Sequence, residues 1–83
     1  MTYVHYAVVN ETCSICGQGR ILIAAGRDEG SLFAICEDCE AEWDTPIKSF
    51  DESMATRNKH TFLRYLEVEE LKDHPWYSEV LNR

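Results

Sequence analysis

A chain of 83 residues with 45% hydrophobic residues and a formal charge of −7 is enough for one domain but too short for a large core. Apolar burial alone leaves such a chain marginal, so a staple such as a bound metal ion is expected. Its 15 acidic residues against 8 basic ones argue against a polyanion as partner, because affinity for nucleic acid rests on lysine and arginine neutralising phosphates.

Residues 3–9 set Val4, Tyr6 and Val8 against Tyr3, His5 and Ala7, a period of two that predicts a strand. The pair Cys13-Ser14-Ile15-Cys16 follows, with Gly17 behind it. There the backbone must fold back on a sulfur with positive φ, which glycine adopts at no steric cost. Residues 20–25 and 31–35 are apolar runs separated by a polar loop with glycine at each end, Gly26 and Gly30, and predict a β-hairpin. Antiparallel pairing then brings the second pair, Cys36-Glu37-Asp38-Cys39, to the same edge as the first.

Residues 40–44 carry Trp43 among acids and end before Pro46, which fits a short strand laying Trp43 over the hairpin. Residues 49–60 have no apolar period and read as an exposed loop. Residues 61–66 suit a strand or a helix equally, since Phe62, Leu63, Tyr65 and Leu66 satisfy either period. Residues 68–74 are expected to form a short helix, with Glu69 and Glu70 early and Lys72 and His74 late, as the helix dipole favours. Pro75 stops it, and residues 76–81 are expected to form a second short helix that offers Trp76, Tyr77, Val80 and Leu81 to the core.

No stretch approaches the roughly 18 apolar residues of a membrane span, and residues 1–11 lack the basic start and apolar run of a signal peptide. A cytoplasmic protein is expected. In that reducing compartment lasting disulfides are rare, so Cys13, Cys16, Cys36 and Cys39 read as metal ligands. Nineteen residues separate the inner members of the two pairs, inside the roughly 15–20 residue spacing of four-cysteine zinc sites. Four thiolates complete a tetrahedral shell around one zinc ion and leave no open position for substrate, so the zinc is expected to be structural. Iron is the alternative occupant in overproduced protein, since tetrahedral sulfur accepts either metal. A thioredoxin-like dithiol would need a helix start beside a βαβ pattern, and neither pair has one.

His5, His60 and His74 read as packing or surface residues, because four cysteines already close the shell. With no nucleophile signature and no phosphate loop, the chain is not expected to be an enzyme. The predicted architecture is a small α+β domain spanning residues 1–83. A zinc ribbon of three to four antiparallel strands occupies residues 1–46, and one or two short C-terminal helices occupy residues 47–83.

The segments Cys13-Ser14-Ile15-Cys16-Gly17-Gln18-Gly19 and Ile35-Cys36-Glu37-Asp38-Cys39-Glu40-Ala41-Glu42-Trp43 resemble a loose group of small stand-alone bacterial zinc-ribbon proteins. The resemblance covers about the first half of the chain. It implies an immunity-type role beside secreted toxins, since many such proteins occur as immunity proteins or as neighbours of toxins. The chain departs from nucleic-acid ribbons at Glu40, where many of those carry glycine or a basic residue.

The charge distribution supports a protein partner. Residues 1–46 hold Glu11, Asp28, Glu29, Glu37, Asp38, Glu40, Glu42 and Asp44 against only Arg20 and Arg27. Such a surface steers a basic partner and can occupy the cleft of an enzyme with an anionic substrate. The expected contact face comprises Asp28 and Glu29 at the hairpin tip, with Glu37, Asp38, Glu40, Glu42 and Asp44 around the second cysteine pair. The expected function is non-catalytic binding and neutralisation of a basic protein such as a secreted nuclease toxin. The alternative is a nucleic-acid-associated ribbon of transcription or RNA processing, acting through Arg57, Lys59 and Arg64.

Overall fold

The computed structural model describes residues 5–28, 31–57 and 59–83. Five short strands form one antiparallel sheet: β1 (Val8–Asn10), β2 (Ile21–Gly26), β3 (Leu32–Cys36), β4 (Glu42–Trp43) and β5 (Phe62–Tyr65). The β2–β3 hairpin pairs Ile21 with Cys36 at one end and Ala25 with Leu32 at the other. β4 adds to the free edge of β3, with Ala34 opposite Trp43. The free edge of β2 is shared, because β1 pairs with its first half through Leu22 and β5 with its second half through Ala24 and Ala25.

β2 has strands on both edges and is covered on both faces, which explains why Ile21, Leu22, Ile23 and Ala24 form a continuous apolar run with no polar alternation. The pleat divides the buried residues between the two faces. Ile21, Ile23, Ala34, Cys36 and Trp43 belong to the main core with Val9, Leu66, Leu71 and Val80. Ala24, Phe33 and Ile35 form a smaller cluster with Tyr65 on the other face.

β1 and β5 meet at a ring of three backbone hydrogen bonds. Ala7 N–H donates to the Leu66 carbonyl at 2.9 Å, Leu66 N–H to the Ile23 carbonyl at 2.9 Å, and Ile23 N–H to the Ala7 carbonyl at 3.1 Å. The end of the chain then covers the outer edge of β1. Leu81 N–H donates to the Val8 carbonyl at 2.7 Å, and the Asn82 side chain bonds both the Tyr6 carbonyl and the Val8 N–H. Residues beyond 46 are thus built into the sheet and its core.

Two expectations change. Among the described residues no α-helix forms: the segments expected to be helical are 3₁₀ turns, Val68–Leu71 and Pro75–Glu79. Pro75 keeps the two apart, since it cannot continue a helix begun before it and opens the second with its extended neighbour His74 as cap, and a single turn is too short for stable α-helical propagation. Trp76, Tyr77 and Val80 meet the core as expected, whereas Leu81 turns outward with 53% exposure. The stretch expected to be a featureless loop contains two further 3₁₀ turns, Ile47–Phe50 and Glu52–Met54. It also pairs with the sheet, because Thr56 and Glu42 exchange backbone hydrogen bonds of 2.7 and 2.8 Å. The ambiguous segment is strand β5. The start of the predicted first strand, residues 1–4, lies outside the described residues, as does most of the hairpin tip at 29–30. No helix among the described residues is long and apolar enough to cross a membrane.

Candidate metal centre

The hairpin carries the second cysteine pair directly after β3 and receives the first pair just ahead of β2, so both converge at one end of the sheet. The four Sγ atoms of Cys13, Cys16, Cys36 and Cys39 all lie within 4.8 Å of one another. Cys13 and Cys39 are separated by 3.8 Å, Cys16 and Cys36 by 3.7 Å. Both distances are far beyond a disulfide bond of about 2.05 Å, and all four cysteines are free. They match the edge of about 3.8 Å in a tetrahedron of sulfurs bound at about 2.3 Å. The donor set therefore fits a tetrahedral metal ion that favours thiolate.

Local backbone geometry repeats between the pairs. Ile15 N–H donates to Cys13 Sγ and Asp38 N–H to Cys36 Sγ, each at 3.3 Å. The second sulfur of each pair follows the same rule, with Gln18 and Ala41 amides serving Cys16 and Cys39. Amides aimed at sulfur favour the thiolate, and the residue after each pair adopts positive φ, +69° at Gly17 and +65° at Glu40. Glycine meets that need in the first pair, while a glutamate bears the strain in the second.

The four thiols differ in basicity. The amides of Gly19 and Gln18 bring Cys16 down to about 6. Burial pushes Cys36 up to about 12 and raises Cys39 as well. A divalent cation would offset this cost of burial by holding all four as thiolates.

The middle segment straps both pairs. Ser14 Oγ donates to the Ser49 carbonyl at 3.3 Å, and Arg57 Nη1 donates to the Cys39 carbonyl at 2.9 Å. Gly19 closes the site from within, as a Cβ there would stand 2.7 Å from Cys36 Sγ. Its role had no distinct signal in the sequence, because a steric need across two pairs depends on tertiary contact.

The acids expected to form a contact face are not equivalent. Asp28, Asp38 and Glu40 are exposed and, among the described residues, have no ion-pair partner. Glu37 is held by Arg20, whose Nε donates at 2.7 Å and Nη2 at 3.1 Å, and this bond keeps the Glu37 carboxyl below its ordinary range. Asp44 is engaged by Lys59 at 2.8 Å, which holds its carboxyl low. Glu42 departs from the expectation: it is 5% exposed, because it faces the smaller core cluster and is covered by His60. Its Oε1 accepts from the His60 N–H at 2.9 Å and lies 2.8 Å from His60 Nδ1. Glu29 lies outside the described residues. His60, which also stacks on Phe33 with ring centroids 4.4 Å apart, was not legible as a partner of Glu42.

Fold and site define a small antiparallel-sheet protein with four clustered cysteines that could hold a metal ion. Compared with protein-family models, with curated proteins and with solved structures, the chain finds no match.

Proposed function

We propose that this chain is a non-catalytic protein-binding module of the zinc-ribbon type, with one structural zinc ion on Cys13, Cys16, Cys36 and Cys39. Its acidic surface binds and neutralises a basic partner in the cytoplasm, in the manner of an immunity protein or inhibitor of a nuclease toxin. The observation that carries the reading is the closed set of four sulfurs within 4.8 Å, which fills a tetrahedral shell and leaves the metal a structural task. Zinc is favoured over iron because it is redox-silent, which suits a purely structural ion.

The net charge of −7 and the exposed Asp38 and Glu40 on either side of Cys39 support a basic partner. The resemblance of both cysteine segments to small bacterial immunity-type ribbons supports the same role. The nucleic-acid alternative is disfavoured by the state of its own residues. Arg57 is bound to the Cys39 carbonyl, Lys59 to Asp44 and Arg64 to Glu70, so these cations are already occupied within the chain.

The test is purification of the chain from its native host, with elemental analysis of the product. One zinc per chain, unfolding on chelation and a stoichiometric basic companion are expected. Combined Asp28→Lys, Asp38→Lys and Glu40→Lys substitutions should release the companion and leave the zinc bound. Salt-sensitive retention on heparin, or no basic companion, would overturn the reading.

A further inference from the structure

The two cysteine loops are built alike except at one position. The residue after each pair takes positive φ, +69° at Gly17 and +65° at Glu40, and only the second loop asks a residue with a side chain to do so. The peptide that joins Cys39 to this strained residue is also the one held from outside. Arg57 Nη1 donates to the Cys39 carbonyl at 2.9 Å, whereas among the described residues the matching Cys16 carbonyl of the first loop accepts no hydrogen bond.

The sheet brings Arg57 to this place. Its neighbour Thr56 exchanges backbone hydrogen bonds of 2.7 and 2.8 Å with Glu42, two residues past Glu40, and Thr56 Oγ1 donates to the Glu42 carbonyl at 3.3 Å. Inside the loop, Cys36 N–H donates to the Ala41 carbonyl at 2.9 Å and Cys39 N–H to Cys36 Sγ at 3.4 Å. Glu40 is therefore fixed from both sides. Because the peptide unit is planar, a charged donor on the Cys39 carbonyl constrains the orientation of the whole 39–40 peptide, and with it the backbone from which the Cys39 sulfur projects.

We infer that Arg57 is a positioning residue for the metal site: it clamps the strained turn at Glu40 and so holds Cys39 in place as a ligand. The inference rests on the metal reading above and assigns the device that the second loop uses where the first uses glycine. Groups that orient metal ligands from outside contribute about 10–100-fold to affinity, and an exposed donor such as Arg57 belongs at the lower end.

The test is zinc affinity of the full chain, read by chelator competition, with Arg57→Met made alone, with Glu40→Gly and with Glu40→Gln. Arg57 is exposed, so its replacement leaves the core intact, and thermal unfolding of the zinc-loaded variants checks this. Arg57→Met alone is expected to weaken zinc binding about tenfold. In the Glu40→Gly background, where the strain is gone, the same change should cost about threefold or less. In the Glu40→Gln background, which removes the charge and keeps the strain, it should again cost about tenfold. Thiol alkylation of the zinc-loaded Arg57→Met chain, mapped by mass spectrometry, should speed up several-fold at Cys39 and stay unchanged at Cys13, which Arg57 does not hold. Affinity within twofold of the original in Arg57→Met, equal losses with glycine and with glutamate at position 40, or alkylation raised alike at all four cysteines would overturn the assignment. A chain that binds no zinc would overturn the metal reading as well, whereas undiminished zinc binding without Arg57 would overturn the clamp alone.

Discussion

Gly19 packs directly against Cys36: a Cβ on Gly19 would lie 2.7 Å from Cys36 Sγ, 2.7 Å from Asp38 Cβ and 3.0 Å from Asp38 N. No flexible side-chain end is available to move aside, so Gly19→Ala must push the two cysteine pairs apart. Overpacking of this kind costs about 2 kcal/mol, which corresponds to a loss of about 30-fold in metal affinity if it falls on the bound state. Competition against a chelator of known affinity measures this. Affinity within twofold of the original would show that the site tolerates a wider spacing.

Gly17 and Glu40 follow their cysteine pairs with nearly equal φ, +69° and +65°. Nothing lies within 4 Å of a Cβ at Gly17, so Gly17→Ala carries a backbone cost alone, about 1 kcal/mol. Glu40→Gly removes the corresponding strain, partly offset by the greater freedom of glycine in the unfolded chain, for a net gain of about 0.5 kcal/mol. Thermal unfolding of the zinc-loaded variants should move in opposite directions. Since Glu40 also stands on the proposed partner face, the stabilised variant should bind the partner less well. A Glu40→Gly variant no more stable than the original would contradict the strain argument.

Metal affinity is expected to climb steeply with pH. In the metal-free folded chain, Cys16 is a thiolate above about 6, while Cys36, at about 12, and Cys39, raised by burial, still carry protons at neutral pH. Binding must expel those protons, and each one released makes affinity rise about tenfold per pH unit. Two protons give at least about a hundredfold per unit near neutrality, with affinity falling as pH falls. Chelator competition between about pH 6.5 and 8 reads the slope. A rise of tenfold per unit or less would mean that burial does not hold Cys36 and Cys39 protonated.

The cysteine pairs, the hairpin between them, the bend at Gly17 and the short strand of Trp43 were legible because each depends on neighbours close in sequence. Two-residue spacers fix sulfur separation, and apolar runs flanked by glycine fix the hairpin. Strand β5 was not legible, since the choice between strand and helix over residues 61–66 is made by the Leu66 N–H meeting the Ile23 carbonyl. The burial of Glu42 was hidden for a similar reason. Among Glu37, Asp38, Glu40 and Asp44 it looked like another solvated acid, and its covering partner His60 lies 18 positions away. The 3₁₀ form of the C-terminal turns follows from Pro75, which the sequence displayed, together with segment lengths that only the packed structure sets.

The buried pair of Glu42 and His60 gives a prediction that separates its two members. His60→Leu removes the ring nitrogen that faces Glu42 Oε1 at 2.8 Å and leaves a nearly buried carboxylate with one backbone donor. That loss is expected to cost about 2 kcal/mol, the penalty for an incompletely satisfied buried charged group. Replacing both members, Glu42→Leu with His60→Leu, removes the charge along with its partner, and apolar replacement of a buried ionic pair is often neutral or stabilising. The double variant should therefore be more stable than His60→Leu alone in urea unfolding of the zinc-loaded chain. Costs that simply add would mean that Glu42 is satisfied without the imidazole. In that case the stacking of His60 on Phe33 would account for the histidine's effect on stability.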